Sequence, residues 1–144
     1  MSIKLKLEGF EEMLREIEKA SGSVDKSVKT CLERSAKIME TELKSEMEHS
    51  EVKKGLIDRM PESVIENNHG LQTARVGYEK GAYDPKNISD AYKVIFLNYG
   101  TPHRQKHGKV KARGFIQRAK RKAKSKIYKV QQQTLEDILK GLKQ

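Results

Sequence analysis

The apolar positions change period several times along the chain, and each change marks an element. Residues 3–7 (IKLKL) alternate apolar and basic, which predicts a short strand. Gly9 breaks the alternation, and Phe10, Met13, Leu14 and Ile17 then recur at helical spacing among glutamates. Ser21-Gly22-Ser23 ends that helix, and Ser23, followed by Asp25, is placed to cap the next. From Val24 to Met47 one stripe runs through Val28, Leu32, Ala36, Met39 and Leu43 in steps of three and four. This spacing predicts a single long helix with Lys and Glu on its other faces. Cys31 lies beside the stripe and reads as a small packed hydrophobe.

Residues 48–60 show no clear period and read as a flexible loop ending at Pro61. Ser63 to Glu66 and Leu71 to Tyr78 read as the two strands of a hairpin, joined by the turn cluster Asn67-Asn68-His69-Gly70. Residues 81–90 form a loop around Pro85. Tyr92 to Tyr99 (YKVIFLNY) is rich in β-formers and reads as a central strand, with a short helical turn as the alternative. Residues 100–114 combine three Gly and Pro102 with Arg104, Lys106, Lys109, Lys111 and Arg113, an exposed basic loop. From Phe115 the helical period returns through Ile116, Ala119, Ala123, Ile127, Val130, Thr134, Ile138 and Leu142.

These elements predict a single α+β domain over 1–144. A small antiparallel sheet of about three or four strands would pack against a long central helix and a long C-terminal helix. Its parts would be a strand and two helices in 1–47, the flexible loop 48–60, the sheet in 61–99, the basic loop 100–114 and the helix 115–142. No repeat or low-complexity tract interrupts the chain.

Charge sharpens the picture. The net charge is +10, and no acid occurs between Asp90 and Glu136, where 13 of the 30 Lys and Arg reside. The remaining 17 face all 20 acids, so a near-neutral body carries one strongly basic segment. Such a segment seeks phosphate, an acidic protein surface or an anionic membrane. Bases crowd the first half of the last helix and acids appear only at Glu136 and Asp137, the reverse of what the helix dipole favours. The expected partner-facing or DNA-facing surface is Arg104, Lys106, Lys109, Lys111, Arg113, Arg118, Lys120, Arg121 and Lys124.

Other chemistry finds little support. Apolar residues make up 35% and aromatics 6%, with no Trp, which argues for a thin aliphatic core and against a deep small-molecule pocket. His103 and His107 have i, i+4 spacing but sit among cations without Asp, Glu or Cys, so no metal site is expected. No phosphate-binding loop, dinucleotide fingerprint or nucleophile–base pattern occurs, and neither a cofactor nor an enzymatic activity is expected. A small nuclease-like or toxin-like enzyme using His103 and His107 is the reading left to that class. One cysteine allows no internal disulfide, and the longest apolar run near the centre, Val94 to Leu97, is far too short for a membrane span. The expectation is a soluble protein of the cell interior, or a structural protein assembled there, without membrane contact.

The order of these motifs resembles the head–tail joining, or tail-completion, proteins of long-tailed bacteriophages and prophages. The opening strand, Gly, brief helix and long helix match IKLKLEGFEEMLREIE and VDKSVKTCLERSAKIMETELKSEM. The family's Thr-Gly-x-Leu loop and Ser-rich strand have counterparts in Gly55-Leu56 and Ser63, with Lys54 in place of the Thr. TARVGYE (Thr73 to Glu79) matches the next strand. An aromatic-Gly-Thr turn, Tyr99-Gly100-Thr101, precedes the basic loop, and Phe115 opens the last helix. Asn98 stands where the family often has an acid, and Gly114 where it often has Pro. The resemblance implies a non-enzymatic neck protein of the virion, present in the host cytoplasm before assembly. It would form an oligomeric ring with its own copies, contact neighbouring neck, tail-terminator or tail-tube proteins, and meet double-stranded DNA in the channel. Tyr99, Gly100, Thr101 and Phe115 would then hold the fold. The alternative is a basic protein that binds nucleic acid without sequence preference.

Overall fold

A computed structural model describes residues 2–5, 15, 24–79, 87–101 and 110–142. The elements are β1 (Ser2–Leu5), α1 (Val24–His49), α2 (Lys54–Asp58), β2 (Val64–Asn68), β3 (Leu71–Gly77), α3 (Asp90–Tyr99) and α4 (Phe115–Leu142). The architecture is mixed helix and sheet. The strands pair antiparallel in the order β1-β3-β2.

The hairpin follows from its turn chemistry. His69 and Gly70 both adopt positive φ (54° and 85°), the two-residue geometry whose twist matches paired strands. Asn67 Oδ1 accepts a hydrogen bond from the Gly70 N–H at 3.1 Å and closes the turn. The register then sets Ile65 against Ala74 and Val64 against Arg75. Ala74 and Val76 are fully buried on β3, while Val64 at the start of β2 is 47% exposed.

α1 is the central element. The predicted stripe from Val28 to Met47 is buried throughout. A second buried line follows Cys31, Ser35, Glu42 and Glu46, so α1 is covered over a wider arc than its apolar residues mark. One side of α1 meets the sheet, chiefly β3, and another meets α4. α4 runs antiparallel to α1: Glu46 pairs with Arg118 and Lys122 near the start of α4, and Glu42 pairs with Lys126 farther along. Ala119 and Ala123 are completely buried in this contact zone, where small side chains let two helices approach closely.

Several expectations are corrected. Tyr92 to Tyr99 is helical, not a central strand. Ala91, Val94 and Asn98 are its buried residues, spaced as one helix face, and the Gly100 N–H closes the last turn on Phe96 O at 2.8 Å. Packing on one side overrode the β-propensity of the individual side chains. Among the described residues the strands of the 61–99 region are therefore confined to 64–77. The expected loop 48–60 contains α2, which buries Leu56 and Ile57, with Val52 and Met60 buried beside it. Their spacing is helical, but the run is too short to stand out as a period. α4 lies against α1, and α1 in turn lies against the sheet. The brief first helix, the loop around Pro85 and most of the basic loop fall outside the described residues, apart from Arg15, which is helical.

Candidate functional site

The Tyr99-Gly100-Thr101 turn and the start of α4 form one joint. Gly100 ends α3 with φ 78°, and a Cβ there would lie 2.8 Å from Val110 O and 2.9 Å from Ala112 N. Glycine is required on both counts. Thr101 N–H donates to Val110 O at 3.0 Å, and Val110 N–H donates to Thr101 Oγ1 at 3.1 Å. These two bonds clip together the ends of the segment that carries Arg104, Lys106 and Lys109, residues that themselves lie outside those described. Phe115 is completely buried. Tyr99 is half exposed.

Asn98 completes the joint from α3. Its side chain is 1% exposed, and its Oδ1 accepts from the Ile116 N–H at 2.9 Å. Its backbone carbonyl accepts from the Gly114 N–H, and Leu97 O accepts from the Arg113 N–H, both at 3.0 Å. α4 has no acid in its first turn and Gly114 in place of a capping side chain, and one of its orphan amides, that of Ile116, is satisfied from 18 residues upstream. Asn98 Nδ2 has no partner among the described residues.

The basic surface divides into two populations. Arg113 donates through its guanidinium to Ser50 O at 2.9 Å and Glu51 O at 3.3 Å, so it closes the C-terminal end of α1. Arg118 donates to Glu46 Oε2 at 2.9 Å, to Ser50 Oγ at 2.6 Å and to Arg113 O at 2.6 Å. Lys122 also reaches Glu46, and Lys126 reaches Glu42. The Glu46 side chain is only 3% exposed. Hydrogen bonds from Lys122 and Arg118 hold its carboxyl below the ordinary range, against the opposing effect of burial. These cations are structural. The reversed charge order of α4 is thus partly answered inside the fold, by acids on the antiparallel α1.

Lys111, Lys120, Arg121 and Lys124 are different. All four are exposed, and none has an ion-pair partner among the described residues. Arg121, Lys124 and Tyr128 follow helical spacing along the outer face of α4, with Lys120 at its edge. Tyr128 is 58% exposed on this face. These four place unpaired positive charge on α4 and just before it.

A second charged group escaped the sequence reading. Arg59, at the end of α2, makes a two-pronged contact with Asp90 at the start of α3, at 2.8 and 3.1 Å. That contact holds the Asp90 carboxyl below its usual range. Lys93 approaches Asp90 at 3.7 Å. Tyr78 donates its hydroxyl to Leu56 O, and burial pushes its own ionisation well up. This group ties β3, α2 and α3 together. The i, i+3 spacing of Asp90 and Lys93 is the one sequence signal that could have found it.

His103 and His107 lie outside the described residues. Among the described residues no cluster of three or more His, Cys, Asp or Glu could hold a metal. Cys31 is a fully buried free thiol. No helix among the described residues is long and apolar enough to cross a membrane. Comparisons with protein-family models, curated proteins and solved structures find no match to this chain.

Proposed function

We propose that this chain is a non-enzymatic virion assembly protein of the phage neck, acting at the junction between a DNA-filled head and the tail. The observation that carries the reading is the joint at residues 98–116. Gly100, Thr101 and Phe115, which carry the family resemblance, all serve one local architecture: a sharp exit from α3, a clipped basic segment and a buried start to α4. The unspent cations Lys111, Lys120, Arg121 and Lys124 flank that architecture. In this reading the small antiparallel sheet and the two long helices are the body of one ring subunit. The basic side faces the acidic rim of a neighbouring neck, tail-terminator or tail-tube protein, or DNA in the channel. Copies of the chain complete the ring, the membrane has no part in it, and the place of action is the virion.

A second reading is favoured by Tyr128. An exposed aromatic beside Arg121 and Lys124 suits a chain that binds nucleic acid through phosphate contacts with an added stacking face. The two readings separate in one experiment. Purified protein is added to isolated tails and DNA-filled heads of the phage or prophage that encodes it, and joined particles are counted by electron microscopy. The assembly reading expects joining, and expects the triple variant Lys120→Glu, Arg121→Glu, Lys124→Glu to reduce it at least about tenfold while circular dichroism stays unchanged. Unimpaired joining and DNA retention by the variant would remove the basic face from the mechanism. Duplex binding with a steep salt slope, and no attachment to either particle, would favour the second reading.

A further inference from the structure

A cleft of about 540 Å3 opens between α2, α3 and the segment leading into α4. Its walls are apolar: Leu56 from α2, Phe96 and Leu97 from α3, and Val110. Its rim is cationic: Lys53 and Arg59 bracket α2, Lys93 lies on α3, and Arg113 precedes α4. Glu51 is the one acid among the described lining residues. Asp90 neutralises part of the charge on Arg59 and Lys93, but Lys53 is exposed and has no ion-pair partner among the described residues.

The walls are fixed by the bonds already described. Arg113 N–H to Leu97 O and Thr101 N–H to Val110 O fasten one side, and Tyr78 to Leu56 O fastens the other. Arg113 is in turn held against the end of α1. A preformed groove loses little ordering entropy when a ligand enters. Apolar walls under a rim with more cations than acids favour a ligand that is both apolar and negatively charged, and disfavour basic segments. The volume lies in the range of ordinary ligand sites, enough for a few side chains.

We propose that this cleft docks an acidic, apolar-anchored peptide segment of a neighbouring protein, with apolar side chains on Leu56, Phe96, Leu97 and Val110 and a carboxylate at Lys53. The proposal rests on the assembly reading only for the idea that the neighbour is a virion protein. The recognition chemistry stands on the cleft itself, at a place distinct from the outer face of α4.

The test uses the full chain and a fluorescein-labelled eight-residue peptide alternating Leu and Glu, with its Leu–Lys counterpart as control, followed by anisotropy. The acidic peptide binds and the basic one does not. Lys53→Glu weakens binding at least about tenfold, which corresponds to about 1.4 kcal/mol. Phe96→Ala weakens it as well, with folding checked by circular dichroism. Lys120→Glu, Arg121→Glu, Lys124→Glu leaves it within about twofold. Binding that ignores Lys53→Glu and Phe96→Ala, or that is lost in the α4 variant, overturns the proposal. So does tight binding of laurate with no binding of the peptide, which would make the cleft a lipid site. Peptide binding that requires replacement of residues 102–109 by a Gly-Ser linker also overturns it, since the chain's own loop would then be the occupant. Peptide binding in a protein that joins no particles would preserve the cleft and refute the neck assignment, so the two failures are separable.

Discussion

Gly100 shows how much one position can constrain. Its φ of 78° is in the left-handed region, and the space a Cβ needs is filled by the backbone of Val110 and Ala112. Backbone cannot move aside as a flexible side chain can. Gly100→Ala is therefore expected to cost about 2 kcal/mol or more, read as a lower midpoint in urea denaturation. An unchanged midpoint would mean that the joint between α3 and α4 relaxes without loss. The glycine was legible from the sequence as part of an aromatic-Gly-Thr turn, but Asn98 was not. Asn98 looked like a departure from an acidic position, and its role as a cap exists only because α3 brings it beside residue 116.

Glu46 gives a pH dependence. Hydrogen bonds from Lys122 and Arg118 depress its folded-state pKa below the ordinary 4.5. A carboxyl depressed on folding contributes stability that is fully present above its unfolded pKa and is lost as pH falls through the folded value. The wild type should therefore lose its advantage over Glu46→Gln as pH falls below the ordinary carboxylate range. Urea midpoints of the two proteins at each pH check this. A gap between them that stays constant across the range would show that the carboxylate charge is not what holds the helices.

At the scale of elements, α4 is two helices in one. Its inner edge is bound to α1 by Arg118, Lys122 and Lys126, while Lys120, Arg121 and Lys124 face outward. Arg118→Ala should destabilise the fold by about 2 kcal/mol, because it removes charged hydrogen bonds to a buried carboxylate. Replacing Lys120, Arg121 and Lys124 together by Ala should change stability by less than about 1 kcal/mol, since exposed unpaired charges hold little. Thermal denaturation separates the two sets. Equal losses would contradict the division into structural and free cations.

The same helix marks where sequence reading stops. The apolar stripe from Ile116 to Ile138 was legible because burial repeats with the helical period. Which bases were spoken for was not legible, because their acids lie on α1, 72 to 84 residues earlier. Tyr92 to Tyr99 misled for a related reason. Its aromatic and β-branched residues suit either element, and the deciding facts, a buried Asn98 and a terminating Gly100, depend on what they touch. α2 hid in an apparent loop because five residues are too few to display a period. The cleft was invisible because its walls come from three separated stretches of chain.

At the scale of the molecule, α1 links the sheet to α4, and Lys111, Lys120, Arg121 and Lys124 set exposed, unpaired charge on α4 and the segment before it. A protein built this way has its stability in the frame and its affinity on the margin. The central claim is that the margin serves assembly. The most direct test is the native mass of the purified protein at low and high salt, alone and with isolated tails or portal-bearing heads. The account predicts rings, or protein decorating one end of one particle, in the presence of its partner. A monomer at every salt concentration that attaches to neither particle would contradict it.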